Sequence, residues 1–482
     1  MPAEAALDPP FRPAPDGWAD LLAEGRAPVL ALIVLGCWVV AADSLVTATI
    51  MPSVGAALDG YAWFGWAASA FLTGLVVAGA SAGWLAERIG LRAAMMLAGA
   101  GFGLGCALSA LAPGIGLFLA GRALQGCAAG WVCGLIYVAL AILFPGRLLP
   151  RAFAILTSVW GVATFAGPLL GGLFADAGAW RGIFWLFAGQ AALFTAASFV
   201  LIPADAARDA RFALPAAPLV LLAVGIAAIA TAGVAGGGAA PLLAATGIGL
   251  LVAALAADRA GPNGLLPRRA ADPAFPLGAA WLTYFCTTAA GTAFALYAPA
   301  LLQHRAGLSA LEAGYVVAVE ALAWTAASLS VAGAGPAWRA RLIVIGPASI
   351  LAGVTGITLV TPAGSLAAVA GAGALLGAGF GLSYSFISQR VIGAFDEGRR
   401  ARGAAAIGAV RNAGGALGAA LAGIAANAAG FGDGLSDSNL AAVAWGAFGS
   451  GIPFALLGLF CAIRLARAQE GDSPRAGTVP GV

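Results

Sequence analysis

GWLAERIGLR, Gly83 to Arg92, interrupts two long apolar runs that cover residues 62–86 and 93–112. One acid and two arginines fall within ten residues, with Gly90 between the arginines, and some twenty residues on each side carry no charge. Such a pattern is a tight polar turn between two helices, each long enough to cross a bilayer, because a core about 30 Å thick needs roughly 20 apolar residues at about 1.5 Å per residue. Working outward, the same pattern repeats along the chain. Of its 482 residues, 61% are hydrophobic and 9% charged, against roughly 25% charged in an ordinary soluble domain. So few charges cannot clothe a water-facing surface, so most of the surface faces lipid.

Fourteen apolar segments are predicted, bounded by charges or Gly/Pro: 28–52, 62–86, 93–112, 115–144, 151–177, 180–203, 214–235, 239–257, 276–302, 309–334, 340–361, 364–390, 402–429 and 438–463. Segments 7 and 8 are the weakest, since Gly236-Gly237-Gly238 also suits a re-entrant hairpin. All 24 basic residues are Arg. With the N-terminus in the cytoplasm, nineteen of the 24 fall on the cytoplasmic side, Arg12, Arg26, Arg88, Arg208, Arg259, Arg268, Arg399 and Arg475 among them, and two, Arg181 and Arg305, fall outside. That bias sets the orientation and requires an even number of crossings. The six cysteines (Cys37, Cys106, Cys127, Cys133, Cys286, Cys461) sit in apolar stretches and read as small core residues. The polar start of the chain does not have the charge pattern of a signal peptide.

The chain also repeats itself. Shifted by 254 residues, VAGASAGWLAER from Val77 lies on VAGAGPAWRAR from Val331, and Tyr61 lies on Tyr315. Pro52 ends segment 1 as Pro299 ends segment 9. The expected organisation is a cytoplasmic tail (1–27), a six-helix bundle (28–203), a linker with two extra crossings (204–275), a second six-helix bundle (276–463) and a cytoplasmic tail (464–482). Parallel six-helix repeats are a transporter arrangement, with a central site that alternates between the two sides.

Several motifs carry chemistry. Segment 4 reads GRALQGCAAG from Gly121, with Arg122 inside the membrane span, where a charge needs a partner or a watery cavity. Segment 5 reads GPLLGG, Gly167, Pro168, Leu169, Leu170, Gly171 and Gly172, a kink with small residues that let helices approach. Trp180-Arg181 and Phe184-Trp185 open segment 6, Asp43 lies nine residues before Pro52, and segment 13 holds Arg411-Asn412-Ala413-Gly414-Gly415. Together these resemble the major facilitator superfamily and, within it, the fourteen-helix drug:proton antiporter family, over nearly the whole chain from Pro28. Glu87 stands where that family has Asp, Leu91 where it has a basic residue, and Ala42 and Leu45 depart from its segment 1 pattern.

The resemblance implies an all-α major facilitator fold of two six-helix bundles plus two extra central helices. Gly83, Glu87, Arg88, Gly90 and Arg92 would latch the halves in one state, and Gly167, Pro168, Gly171, Gly172 and Arg411 would serve conformational change. Segments 1, 4, 9 and 12 would line the cavity, offering Trp38, Tyr137, Tyr284, Tyr297 and Tyr384, with hydroxyls from Thr283, Thr287, Ser383 and Ser388. Aromatics with few fixed charges suit an amphipathic, even cationic, ligand. Asp43 lies about 13 Å and Arg122 about 10 Å below the outer face, so the two are predicted to pair and to take part in proton exchange, the alternative being a permanent ion pair that only holds the helices. Glu320, in mid segment 10 where the repeat puts Trp66, is a second proton-coupling or cation-binding candidate, or else a structural acid tied to a neighbouring helix.

The function that this implies is proton-coupled export of small amphipathic organic compounds from the cell inner membrane, by a chain that works as a monomer. Carriage of one specific metabolite, in either direction, is the alternative. An embedded enzyme fits less well, because the sequence has no paired-carboxylate metal motif, His/Cys cluster or P-loop. No cofactor, metal or nucleic-acid partner is expected. A proton crossing about 180 mV yields roughly 4 kcal/mol, enough for about a thousandfold gradient. Reporter fusions after Arg259 and at the C-terminus are both expected to read cytoplasmic; an external reading at either would overturn the orientation or the helix count.

Overall fold

The computed structural model describes residues 18–204, 214–235, 238–261, 264, 266–267, 269–395 and 400–471. The tails 1–17 and 472–482, Gly236, Gly237, and the arginines Arg12, Arg208, Arg211, Arg268, Arg399 and Arg475 lie outside the described residues. Among the described residues every regular element is helical. A short α1 (Trp18–Leu22) precedes α2 (Arg26–Leu58), α3 (Phe64–Ile89), α4 (Leu91–Leu111), α5 (Ile115–Leu143), α6 (Leu149–Asp176) and α7 (Trp180–Leu201). The inserted pair is α8 (Ala216–Ala232) and α9 (Ala239–Ala260). The second set is α10 (Pro276–Ala306), α11 (Ala310–Ser330), α12 (Pro336–Val360), α13 (Leu366–Gly393), α14 (Arg400–Ala428) and a broken last crossing, α15 (Leu440–Gly449) and α16 (Ile452–Gly471).

Each predicted segment corresponds to one of these helices or, for the last, to the α15–α16 pair. Thirteen spans are long and apolar enough to cross a membrane, and Ala216–Ala232 is a shorter apolar helix of 17 residues. The chain is therefore a multi-pass membrane protein. The turn first quoted is a single residue: Gly90, at φ 84° and ψ 152°, ends α3 and caps α4. A side chain there would be strained.

The 254-residue alignment does not survive. Val77 lies within α3, whereas Val331 follows the end of α11, so the coincidence joins a helix to a turn. Equivalent helices are closer in sequence, as Pro52 of α2 and Pro299 of α10 already indicated. Glu320 consequently sits at mid-length in α11, with no counterpart at Trp66, which opens α3.

Glycine sets the packing inside the bundles. A Cβ at Gly126 or Gly130 of α5 would strike the backbone of Phe71 or Leu75 on α3. Lipid supplies no hydrophobic drive for helix association, so close backbone approach provides the dispersion contacts that hold the helices.

The bundles join near the face that carries the α2–α3 and α6–α7 turns, here called the far face; the terminal face carries Gly90. Ser69 of α3 donates to the Ala416 carbonyl at 2.9 Å, and Asn427 of α14 donates to the Ala62 and Gly233 carbonyls at 2.7 and 2.8 Å. Tyr61, Phe64, Tyr297 and Phe431 stack into an aromatic plug with centroids 5.0–6.2 Å apart. On the other seam, Gly172 packs on the Leu311 backbone, and the Asp176 carboxylate accepts the Ala310 and Leu311 amides at 2.8 and 3.3 Å. Asp176 thus caps α11 across the interface. These cross-bundle contacts gather at the far face, and towards the terminal face Tyr137, Phe153, Trp160 and Leu329 are exposed. The inserted α8 covers the α3–α14 seam, where the Trp66 indole donates to Thr231 at 3.2 Å.

Asp176→Ala removes the cap and is expected to cost the far-face closure about 1 kcal/mol, roughly fivefold in its equilibrium. In a background without the native cysteines, Ala62→Cys, on the α3–α14 seam of the same face, should then be labelled correspondingly faster by a membrane-impermeant maleimide. An unchanged rate would show that the cap does not hold the gate.

Candidate functional site

The first charge cluster forms where the depth argument put it. Arg122 donates to Asp43 at 2.9 Å, with side-chain exposures of 3% and 0%. The same nitrogen reaches Gln125 Oε1 at 3.1 Å, while Gln125 Nε2 donates to Asp43 Oδ1 at 3.4 Å and to Cys106 Sγ at 3.0 Å. Ser109 donates to Gln125 Oε1 at 3.2 Å, and the guanidinium lies 4.3 Å from the Phe71 ring centre. Local sequence explains the arrangement. Arg122 and Gln125 are three apart on one face of α5. Gly121 and Gly105 let α4 and α5 touch, and Gly126 brings in α3, leaving a small interior that these polar groups fill. Arg122 Nε remains without a partner. The cluster is sealed inside the first bundle in this conformation.

The second cluster lies in the other bundle. Tyr384 Oη shares hydrogen bonds with Thr287 and Thr288 at 2.9 and 2.8 Å. Tyr284 Oη donates to the Tyr384 carbonyl at 2.7 Å and also pairs with Ser388. Trp324 stacks on Phe380 at 4.9 Å, and Phe380 stands edge-on to Tyr384 at 5.1 Å. Arg411 enters this cage from α14. Glu320, one turn before Trp324, has its backbone against Gly377 of α13. It is half-buried, with no ion pair or hydrogen bond to any described residue.

The other expected ligand contacts are elsewhere. The Trp38 indole donates to Gln190 of α7 at 3.1 Å and so is tied within the first bundle. Tyr297 belongs to the far-face plug. Tyr137 is 52% exposed beside Phe153, at the opposite end of the molecule from that plug. Thr283 and Ser383 bond back to their own helices. In the motif expected to act as a latch, Arg92 donates to the Ile202 carbonyl at the end of α7, and Arg88 lies 5.3 Å from the Trp84 ring. These two contacts hold α3, α4 and α7 together. Gly167 and Gly171 let α6 rest on Leu45 and Thr49 of α2, and Pro168 meets Gly314 of α11. Sequence reading did not single out Gln125, Ser109, Trp324, Asp176 or Asn427. The available signals were spacing from Arg122 for Gln125 and from Glu320 for Trp324.

A separate apolar cavity of about 470 Å³ lies between the inserted pair and α3, α10 and α14, lined by Ile226, Leu251, Trp281, Phe285, Val410 and Leu417 among others.

Two helical bundles that meet at one face and carry charges at mid-membrane depth are the architecture of a transporter. The chain belongs to the Major Facilitator Superfamily, whose family model matches residues 33–419. A protein of Mycobacterium tuberculosis (strain ATCC 25618 / H37Rv) named "Probable multidrug-efflux transporter" is 32% identical over 188 residues, 39% of this chain and 38% of that protein. The tetracenomycin C resistance and export protein of Streptomyces glaucescens is 27% identical over 160 residues, 33% of this chain and 30% of that protein. The matched region thus spans well under half the length of these relatives. Among solved structures, a D-xylose-proton symporter superposes with a TM-score of 0.63 at 15% identity, covering 90% of this chain and 97% of that one. The nucleoside transporter NupG superposes with a TM-score of 0.60 at 11% identity, covering 92% and 100%. These likenesses establish the fold.

Breaking a buried ion pair from one side costs about 3–5 kcal/mol, because the other charge is stranded. Asp43→Leu and Arg122→Met should each lower the thermal unfolding midpoint, and the double variant should lose clearly less than the two losses combined. Additive losses would mean that the pair contributes no mutual stabilisation.

Proposed function

We propose that this protein is a proton-coupled antiporter of the fourteen-helix drug-efflux type, exporting small amphipathic organic compounds by alternating access. The observation that carries the reading is the sealed Asp43–Arg122–Gln125 cluster in bundles that are closed at one face and spread at the other. A carboxyl held by a guanidinium is discharged only when water or a rearranged partner reaches it, and opening of the first bundle towards either face supplies that access. In this reading Asp43 takes up and releases the proton, Arg122 holds it between turnovers, and Glu320 is a second proton site. The division at 28–203, 204–275 and 276–463 gives the two moving bundles and the inserted pair. The arginine distribution supports a cytoplasmic terminal face, and in this reading, in a cell inner membrane, the conformation described is inward-open. Gly167, Pro168, Gly171 and Gly172 form the hinge surface on which α6 moves against α2 and α11. The relatives named for efflux and export support the direction of transport.

Expression in a pump-deficient bacterial host should raise resistance to some amphipathic compounds, and a protonophore should abolish the gain. With a transported compound in hand, adding it to purified parent protein should release protons. Asp43→Asn should abolish most of the release and Glu320→Gln a smaller part. A full proton yield from folded Asp43→Asn would remove Asp43 from coupling; resistance insensitive to the protonophore would remove proton coupling altogether.

A further inference from the structure

Arg122 and Arg411, both within membrane-spanning helices, are treated differently. Arg122 has a carboxylate and an amide within 3.1 Å. Arg411 has neither: its Cζ lies 5.2 Å from the Trp324 ring centre and 5.2 Å from that of Tyr384, and its guanidinium makes no hydrogen bond or ion pair with a described residue. Its Nε is buried without a partner, whereas its terminal nitrogens are not sealed off, and the residue as a whole is half-buried. Ring faces alone are worth about 0.5–2 kcal/mol to a cation, less than the several kcal/mol that desolvating an ion costs. An embedded charge left in this state marks a site for a partner.

The surroundings are fixed rather than adaptable. Tyr384 is held through its hydroxyl by Thr287 and Thr288 and through its carbonyl by Tyr284, and Trp324 is backed by Phe380. The rings are therefore held in place, with the guanidinium carbon at equal distance from both. Glu320 is the acid closest along α11, one turn from Trp324, and it does not pair with Arg411. Glu312 is used in the capping box that starts α11, and Asp176 caps that same end from α6.

We propose that Arg411, flanked by Trp324 and Tyr384, binds the carboxylate or sulfonate of an amphipathic aromatic substrate, so that the compounds transported are organic anions. This rests on the efflux reading for its physiological meaning, and it replaces the cationic ligand that aromatic composition alone suggested. A planar guanidinium pairs two N–H donors with the two oxygens of such a group, and the rings on either side receive the apolar body.

Three probes share one ring system and differ in charge: naphthylacetate, naphthylacetamide and naphthylethylammonium. Equilibrium binding to the full-length protein in lipid nanodiscs should favour the carboxylate over the amide by about tenfold or more, the scale of a charge-assisted hydrogen bond in a desolvated site. Arg411→Gln should collapse that ratio to near one, and Arg411→Lys should keep part of it, since a point charge replaces the fork. Equal binding of the three probes, preference for the ammonium, no binding of the carboxylate, or an unchanged ratio in Arg411→Gln would overturn the anion site. Arg411-dependent binding in a protein whose expression leaves cellular accumulation of naphthylacetate unchanged would support the site and count against export. Protonophore-sensitive export of cations with no Arg411-dependent anion binding would leave export standing and sink the site.

Discussion

Backbone contact at glycine is the constraint from which the rest of this molecule follows. In lipid, apolar side chains gain little by leaving their surroundings for one another, so helices adhere through dispersion at very short range and through hydrogen bonds. The chain has 70 glycines, and the ones that matter lie at crossings. Gly74, Gly126 and Gly130 bring α3 and α5 together, Gly346 and Gly379 do the same for α12 and α13, and Gly65 and Gly423 join the bundles. Because α3, α4 and α5 are this close, Arg122 and Gln125 are buried among them and meet Asp43 of α2. The buried ion pair is thus a consequence of the glycine packing as much as of the charges.

The seams between bundles use the same contacts but fewer of them. Within a bundle, glycine faces run along whole helices. Across the far-face seams there are a few close approaches, one aromatic plug, side-chain-to-carbonyl bonds from Ser69 and Asn427 and one cross-interface cap from Asp176. Each bond contributes about a kilocalorie per mole, so the seam is worth a few such increments, the scale on which binding energy can shift a two-state equilibrium. A seam as extensively packed as the bundle interiors would hold one state permanently.

Much of this was legible in the sequence. Helix number, approximate ends and the insertion followed from charge spacing, because an apolar run near 20 residues has few other uses. The Asp43–Arg122 contact followed from helix rise alone, since two charges at equal depth on neighbouring helices have no cheaper arrangement. Which aromatics gather around Arg411 did not follow. Trp38 and Tyr297 are as apolar in context as Tyr384, and what separates them is helix rotation: Trp38 turns to Gln190, and Tyr297 turns to Phe64 and Phe431. Rotation about a helix axis leaves no trace in a segment that is apolar all round. The false repeat register has a related cause, because small-residue runs rich in Ala and Gly coincide by composition.

The two halves also divide the electrostatic work in a way that composition could not disclose. Arg122 and Asp43 lie where the first bundle is sealed, and their charges cancel locally. Arg411 and Glu320 lie in the second bundle without such cancellation, on α14 and α11, the two helices that cross the seams to α3 and α6. A charge that is answered within its own bundle keeps its partner whichever seam is closed, and what changes for it is its access to water. A charge left unanswered on a seam helix sees its surroundings change whenever the seam opens, because the aromatic faces, the lipid and the water about it are all rearranged. The energy of Arg411 therefore depends on conformation, and any anion that neutralises it acts on the same equilibrium. By linkage, the conformation that best exposes Arg411 to the open face is the one that a bound anion stabilises. In the described state that face is the one where Tyr137 and Phe153 are exposed, so occupancy of the cage favours the closed far face until the bundles exchange their seams.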